Sequence, residues 1–129
     1  MIALYGIKTC GSVKKATTLL DKHSIPFSFI DLKVQVPSAP LIRGWIEQRG
    51  IGKVLNTKGT TYKNLKKEGL IKEGLITDSK ALIEEQIALL TQYPLLLKRP
   101  VITYDKTLII GYEEEAIIGL IHTYQNKKL

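Results

Sequence analysis

Two short β-prone segments flank a single amphipathic helix at the start of the chain, and that spacing constrains the fold more than any other feature. Ile2, Leu4 and the β-prone Tyr5 form a buried-strand pattern closed by Gly6. From Gly11 to His23 the apolar residues Val13, Ala16, Leu19 and Leu20 recur at helical spacing, with Lys14, Lys15, Asp21 and Lys22 opposite them. Ser24-Ile25-Pro26 ends that helix, and Phe27 and Phe29 then alternate as a second strand that extends at most to Leu32. A helix between two short strands makes a βαβ unit, and the handedness rule for such crossovers makes the strands parallel.

The middle of the chain changes character. Pro37 and Pro40 flank a helix start that continues through Leu41, Ile42, Trp45, Ile46 and Arg49 to Gly50. Thr60 or Thr61 is expected to cap a short helix over 62–68 that stops at Gly69, and Asp78 or Ser79 to cap another with Leu82, Ile83, Ile87, Leu89 and Leu90 on its apolar face. After Arg99-Pro100, Val101–Tyr104 and Thr107–Ile110 are separated only by Asp105-Lys106, which predicts an antiparallel hairpin. Glu113, Glu114 and Glu115 place negative charge at the start of a last helix, whose core face is Ile117, Ile118, Ile121 and Tyr124. The order is βαβ, a helical insertion, then ββα. That is the order of an α/β, thioredoxin-like fold with a four-stranded mixed sheet.

At 129 residues the chain fits one domain with a real core, and neither repeats nor a flexible linker divide it. The opening MIALYGIKTC has no basic leader, and no apolar run approaches the roughly 20 residues needed to span a bilayer. A single cysteine cannot form an internal disulfide, so a reducing cytoplasm is the expected compartment. The net charge of +7 raises the question of nucleic acid. Its lysines are scattered, however, as Lys14/Lys15, Lys63/Lys66/Lys67, Lys98 beside Arg99, and Lys127/Lys128, without interleaved aromatic platforms. A basic surface that favours small anions accounts for the same charge, and no direct nucleic-acid contact is expected.

The one cysteine lies in YGIKTCGSVKKA, residues 5–16, where the first strand hands over to the first helix. Backbone N–H groups of Gly11, Ser12 and Val13 are unpaired at such a helix start and can point at the Cys10 sulfur. Those donors and the helix dipole favour thiolate over thiol, and the same loop suits an oxyanion or carboxylate. Lys8 and Lys14 add positive charge, Gly11 lets the backbone come close to a substrate, and Thr9 and Ser12 keep the surroundings polar. The competing reading is a small, inert, buried thiol.

Arg99-Pro100 is the second feature. A proline directly before a strand cannot donate a ladder hydrogen bond, and thioredoxin-like folds place a cis-proline here beside the cysteine. Arg99 would then supply a permanent bidentate donor for an oxyanion or carboxylate; the competing reading, which only the fold overrules, is an arginine on a surface loop beside an ordinary trans proline. The third feature is LNTKGTTY, residues 55–62. It suits a turn and a helix cap as well as it suits a site; were it to face Cys10, Lys58 would add a mobile cation and Asn56 a neutral donor. His23 and His122 lie near the ends of different helices, without metal-ligand spacing, so no metal site is expected.

Four stretches in order, LYGIKTCGSVKKA, LNTKGTTYKNL, LLLKRPVI and LIIGYEEE, resemble the arsenate reductase/Spx family, most closely its YffB-like branch. The resemblance implies one domain over residues 1–129, with a thioredoxin-like core at 1–37 and 94–129 and a helical insertion at 38–93. It implies a redox-active cysteine at Cys10 and an oxyanion-binding arginine at Arg99, with Pro100 beside it. In glutaredoxin-coupled arsenate reductases the cysteine attacks arsenate and glutathione resolves the adduct. That chemistry needs no second protein thiol, in agreement with Val13 standing where a CxxC motif would have its partner.

Two departures from the family pattern shape the expected activity. Arsenate reductases of this type use further arginines around the anion, whereas the middle loop here offers Asn56 and Lys58 and the late strand has no arginine. Lysine keeps the charge at position 58 but loses the planar fork. A glutathione-dependent thiol reductase therefore fits best, with glutathione as cosubstrate, glutaredoxin as a candidate partner and no bound cofactor. Arsenate reduction and a non-enzymatic, Spx-like regulator that docks on RNA polymerase are the alternatives.

Overall fold

A computed structural model describes residues 1–127 of the chain; Lys128, counted above among the scattered lysines, lies outside the described residues. Two compact units are distinguished. One comprises Met1–Asp31 with the described residues from Arg99 onward, and the other comprises Leu32–Lys98.

The first unit carries the sheet. β1 (Ile2–Gly6) leads through α1 (Gly11–Lys22) to β2 (Phe27–Asp31), and β3 (Val101–Tyr104), β4 (Thr107–Ile110) and α6 (Glu114–Lys127) complete it. The strand order is β2-β1-β3-β4. β1 and β2 are parallel, as the crossover requires, with Ile2 opposite Phe27 and Leu4 opposite Phe29. The other two pairings are antiparallel, which gives the mixed sheet of the thioredoxin-like arrangement. Ile2, Leu4, Ile102 and Ile109 from the sheet join Val13, Ala16 and Leu20 of α1 and Ile117, Leu120 and Ile121 of α6 in one core cluster. Asp105 takes the φ of 55° that the tight hairpin demands, and its carboxylate holds Lys127 Nζ at 2.7 Å.

Boundaries differ from the sequence expectations in small ways. Leu32 is buried but falls beyond the end of β2, in the first turn of the other unit. In the last helix Leu120, rather than Ile118, completes the buried stripe, because it follows Ile117 by three residues on the inward face.

The second unit is helical. It contains α2 (Ala39–Arg49), α3 (Ile51–Val54), α4 (Thr60–Lys67) and α5 (Ile83–Gln92), the last preceded by a 3-10 turn at Lys80–Leu82. α2 begins between Pro37 and Pro40 as expected; the cap itself, the Ser38 hydroxyl accepting from Leu41 N–H, was not named from sequence. The expected caps of α4 and α5 differ in the structure. Gly59, not Thr60 or Thr61, precedes α4, and neither Asp78 nor Ser79 caps α5 with its side chain. Asp78 reaches back instead, its Oδ1 accepting from Ile51 N–H at 2.9 Å and so capping α3. Buried Gln86 on α5 donates from Nε2 to the carbonyls of Leu75 and Thr77, both at 2.8 Å, and holds the preceding loop. An isolated bridge between Leu55 and Leu97 closes the unit, flanked by Asn56 N–H to Leu96 O and Lys98 N–H to Val54 O, each 2.8 Å.

Candidate active site

β1 delivers the chain to one end of the sheet. The antiparallel register sets Val101 opposite Tyr5, so β3 starts where β1 finishes. Ile110 stands opposite Val101, and Gly111 N–H donates to Pro100 O at 2.8 Å. The Cys10 loop, the Arg99-Pro100 step and the Gly111-Tyr112 turn therefore share one end of the sheet, all within the first unit.

The turn from β1 into α1 is short. Cys10 N–H reaches Ile7 O at 3.3 Å, and Lys14 N–H donates to Cys10 O at 3.0 Å as the first helical bond. Cys10 is thus the N-cap of α1, and the amides of Gly11, Ser12 and Val13 precede that first bond. Its sulfur makes no capping hydrogen bond. The sequence argument that these amides point at the sulfur is not realised as such a bond in this rotamer; sulfur is a weak acceptor compared with the Ser or Asp oxygens that cap helices. Cys10 is half-buried, with one side packed on the core cluster.

Gly6 sets the position of this turn. A Cβ there would lie 2.6 Å from Val13 Cγ2, so only glycine lets β1 and the first turn of α1 approach so closely. Gly11 is different: a Cβ there would meet nothing within 4 Å, so internal packing does not demand glycine and the space beside Cys10 is open. Lys8, Thr9 and Lys14 are exposed, and Ser12 is half-buried. Val13 is 2% exposed, a core side chain pinned between β1 and α1.

The Arg99-Pro100 peptide is cis, at the place where the sequence suggested it. Pro100 is buried; Arg99 is half-buried, with its Nε enclosed. Asn56 and Lys58 belong to the helical unit. There Asn56 Oδ1 accepts from Lys58 N–H at 3.2 Å, and Gly59 packs so near that a Cβ would sit 2.7 Å from Asn56 Nδ2. The LNTKGTT loop thus uses its asparagine to fold itself, as a turn-forming residue does. Lys58 is exposed.

Sequence reasoning missed three neighbours of the cysteine turn. Tyr112 follows β4 and lies under the Lys15 ammonium, 5.9 Å from ring centroid to Nζ. Phe27 and Phe29, expected only as alternating residues of β2, line a cavity beside α1 with Lys8, Val13, Lys14 and Thr17. Their spacing of two residues on an edge strand was the available signal. His23 and His122 are both exposed, and no group of metal-ligating side chains occurs among the described residues. None of the described helices is long and apolar enough to cross a membrane.

Comparison with known proteins agrees with this architecture. The model of the ArsC family matches residues 5–119. An uncharacterized protein of Haemophilus influenzae is 31% identical over 115 residues, covering 89% of this chain and 94% of that protein. The global transcriptional regulator Spx of Streptococcus pneumoniae is 26% identical over 136 residues, covering 100% of this chain and 92% of its own. Among solved structures, the YFFB protein superposes with a TM-score of 0.79 at 30% identity, over 94% of this chain and 99% of its own. With a family match that spans both the cysteine turn and the Arg99-Pro100 step, the chain belongs to the ArsC family.

Proposed function

We propose that the protein is a glutathione-dependent thiol reductase with one nucleophilic cysteine. The observation that carries this reading is the pairing of Cys10, half-exposed at the N-cap of α1, with Val13, a buried core residue at the position a resolving cysteine would need. The chain has no other cysteine, so the resolving thiol must come from outside. The Cys10 thiolate attacks the glutathione sulfur of a mixed disulfide; the new S–S bond forms as the old one breaks, and the substrate leaves as a thiolate. A free glutathione thiolate then attacks that same glutathione sulfur, which releases oxidised glutathione and restores Cys10. The amides of Gly11, Ser12 and Val13, together with Arg99, are the groups suited to the glutathione carboxylates, and Lys8 and Lys14 add positive charge to the approach. Such chemistry fits a reducing cytoplasm, with glutaredoxin as a candidate exchange partner.

The test is glutathione-dependent reduction of a small glutathione mixed disulfide. Wild type is expected to turn over, and Cys10→Ser to fall to the uncatalysed rate. Equal rates for the two proteins would reject the reading.

Arsenate reduction fits less well, because arginine stands only at positions 43, 49 and 99 and Arg43 is ion-paired with Glu84. A tetrahedral dianion needs several forks of the kind Arg99 alone supplies at this end of the sheet. A regulatory reading is favoured by the match to Spx along the whole chain. It predicts capture of RNA polymerase that persists in Cys10→Ala, and absence of binding would remove it.

A further inference from the structure

Alongside α1, one turn beyond Cys10, a cavity of about 350 Å³ is lined by Lys8, Val13, Lys14, Thr17, Phe27 and Phe29. All six residues belong to the sheet unit. That volume lies at the lower end of the range for small-molecule sites. Phe27 and Phe29 point to the same face of β2, the edge strand, and pack on the core cluster while remaining half-buried. Val13 supplies the floor. The Thr17 hydroxyl is turned back onto the helix, donating to Lys14 O at 3.1 Å, so it adds methyl surface rather than a free donor. The charged lining residues are the exposed Lys8 and Lys14, and among the described residues no carboxylate lines the cavity.

Such a cavity does not match glutathione. Apart from its thiol, glutathione presents two carboxylates, an ammonium and two amides, and no apolar side chain to place against two phenyl rings. The lysine rim suits a carboxylate, but the apolar lining calls for a different group. We propose that the cavity is a specificity subsite for the polypeptide half of the disulfide that Cys10 attacks. An aromatic side chain beside the modified cysteine fills the space between Phe27, Phe29 and Val13. An acidic neighbour meets Lys8 and Lys14, in keeping with the net charge of +7. The preferred substrate is then a glutathionylated acidic segment of a protein. This inference rests on the reading of Cys10 as nucleophile, and the bond changes are those already given: glutathione sulfur is transferred to Cys10 and the peptide leaves as its thiolate.

The experiment uses short synthetic peptides, each a mixed disulfide with glutathione, and follows the Cys10–glutathione adduct by intact mass. A Glu-Phe-Cys peptide is expected to react about tenfold faster than its Glu-Gly-Cys counterpart, the order of gain from one buried aromatic side chain. A Lys-Phe-Cys peptide is expected to react more slowly than Glu-Phe-Cys, with the gap closing as salt is added. Thr17→Trp fills the cavity from the helix side and is expected to abolish the Phe-over-Gly preference, whereas Thr17→Ser retains it. If Thr17→Trp fails to fold, the peptide series on the wild-type protein decides the question alone. Equal rates for all peptides, with native protein still faster than denatured, would overturn the subsite and leave Cys10 as nucleophile. Equal rates for native and denatured protein would overturn both.

Discussion

Cys10 matters less for being the only thiol than for the residues that fix its place. Gly6 brings β1 against Val13, and Val13 in turn anchors the first turn of α1. Gly6→Ala forces a Cβ into the Val13 methyls and is expected to destabilise the fold by about 1–3 kcal/mol, measured by urea unfolding. In a Val13→Ala background the added cost of Gly6→Ala should fall below about 1 kcal/mol, because the clash is gone. Costs that simply add would show that the contact is not the cause. Tyr5, one residue earlier, is 9% exposed, and burial raises its phenol above the usual tyrosine value of 10.0. The folded protein therefore holds that proton more tightly than the unfolded chain. This contribution to stability is fully present below about pH 10 and is lost as pH rises through the folded value. Tyr5→Phe has no proton to lose there, so its unfolding free energy should decline less between about pH 9 and about pH 11. Identical slopes for the two proteins would contradict the burial argument.

At the level of elements, local pattern was a good guide where one face of a strand or helix is buried. The βαβ unit, the hairpin around Asp105-Lys106 and the start of α2 between Pro37 and Pro40 all follow from short-range periodicity and turn chemistry. α3 was not legible because four residues carry no period. The Asp78 cap was misassigned because its partner, Ile51 N–H, lies 27 residues earlier, and local spacing cannot reveal such a bond. The Gln86 clasp escaped notice for the same reason: a glutamine on a helix looks solvated until the loop it holds is in place. Gln86→Leu leaves the Leu75 and Thr77 carbonyls without their donor and is expected to cost roughly 2–4 kcal/mol in urea unfolding. A change of a few tenths would mean that the clasp is dispensable. The cysteine turn was legible because strand, turn and helix are contiguous there. The Arg99-Pro100 step could be brought to the same end of the sheet only through topology, and the Phe27–Phe29 cavity required the packing of α1 beside an edge strand.

Across the whole molecule, the residues of the proposed chemistry lie in the sheet unit, while Asn56 and Lys58 are carried by the helical unit, where Asn56 organises its own loop. The net charge of +7 is spread over scattered lysines, a pattern suited to a general attraction for anions. What distinguishes this chain is a one-thiol site: Cys10 at a helix start, a core valine where a second thiol would stand, and a cis-proline step at the same end of the sheet. In the proposed chemistry, the helix start and the absence of a second thiol make Cys10 a working nucleophile. Intact-mass spectrometry after addition of oxidised glutathione tests it most directly. One glutathione adduct on Cys10 is expected, formed faster in the native protein than in the urea-unfolded chain and removed by reduced glutathione. An adduct that forms no faster in the native protein than in the unfolded chain would contradict it.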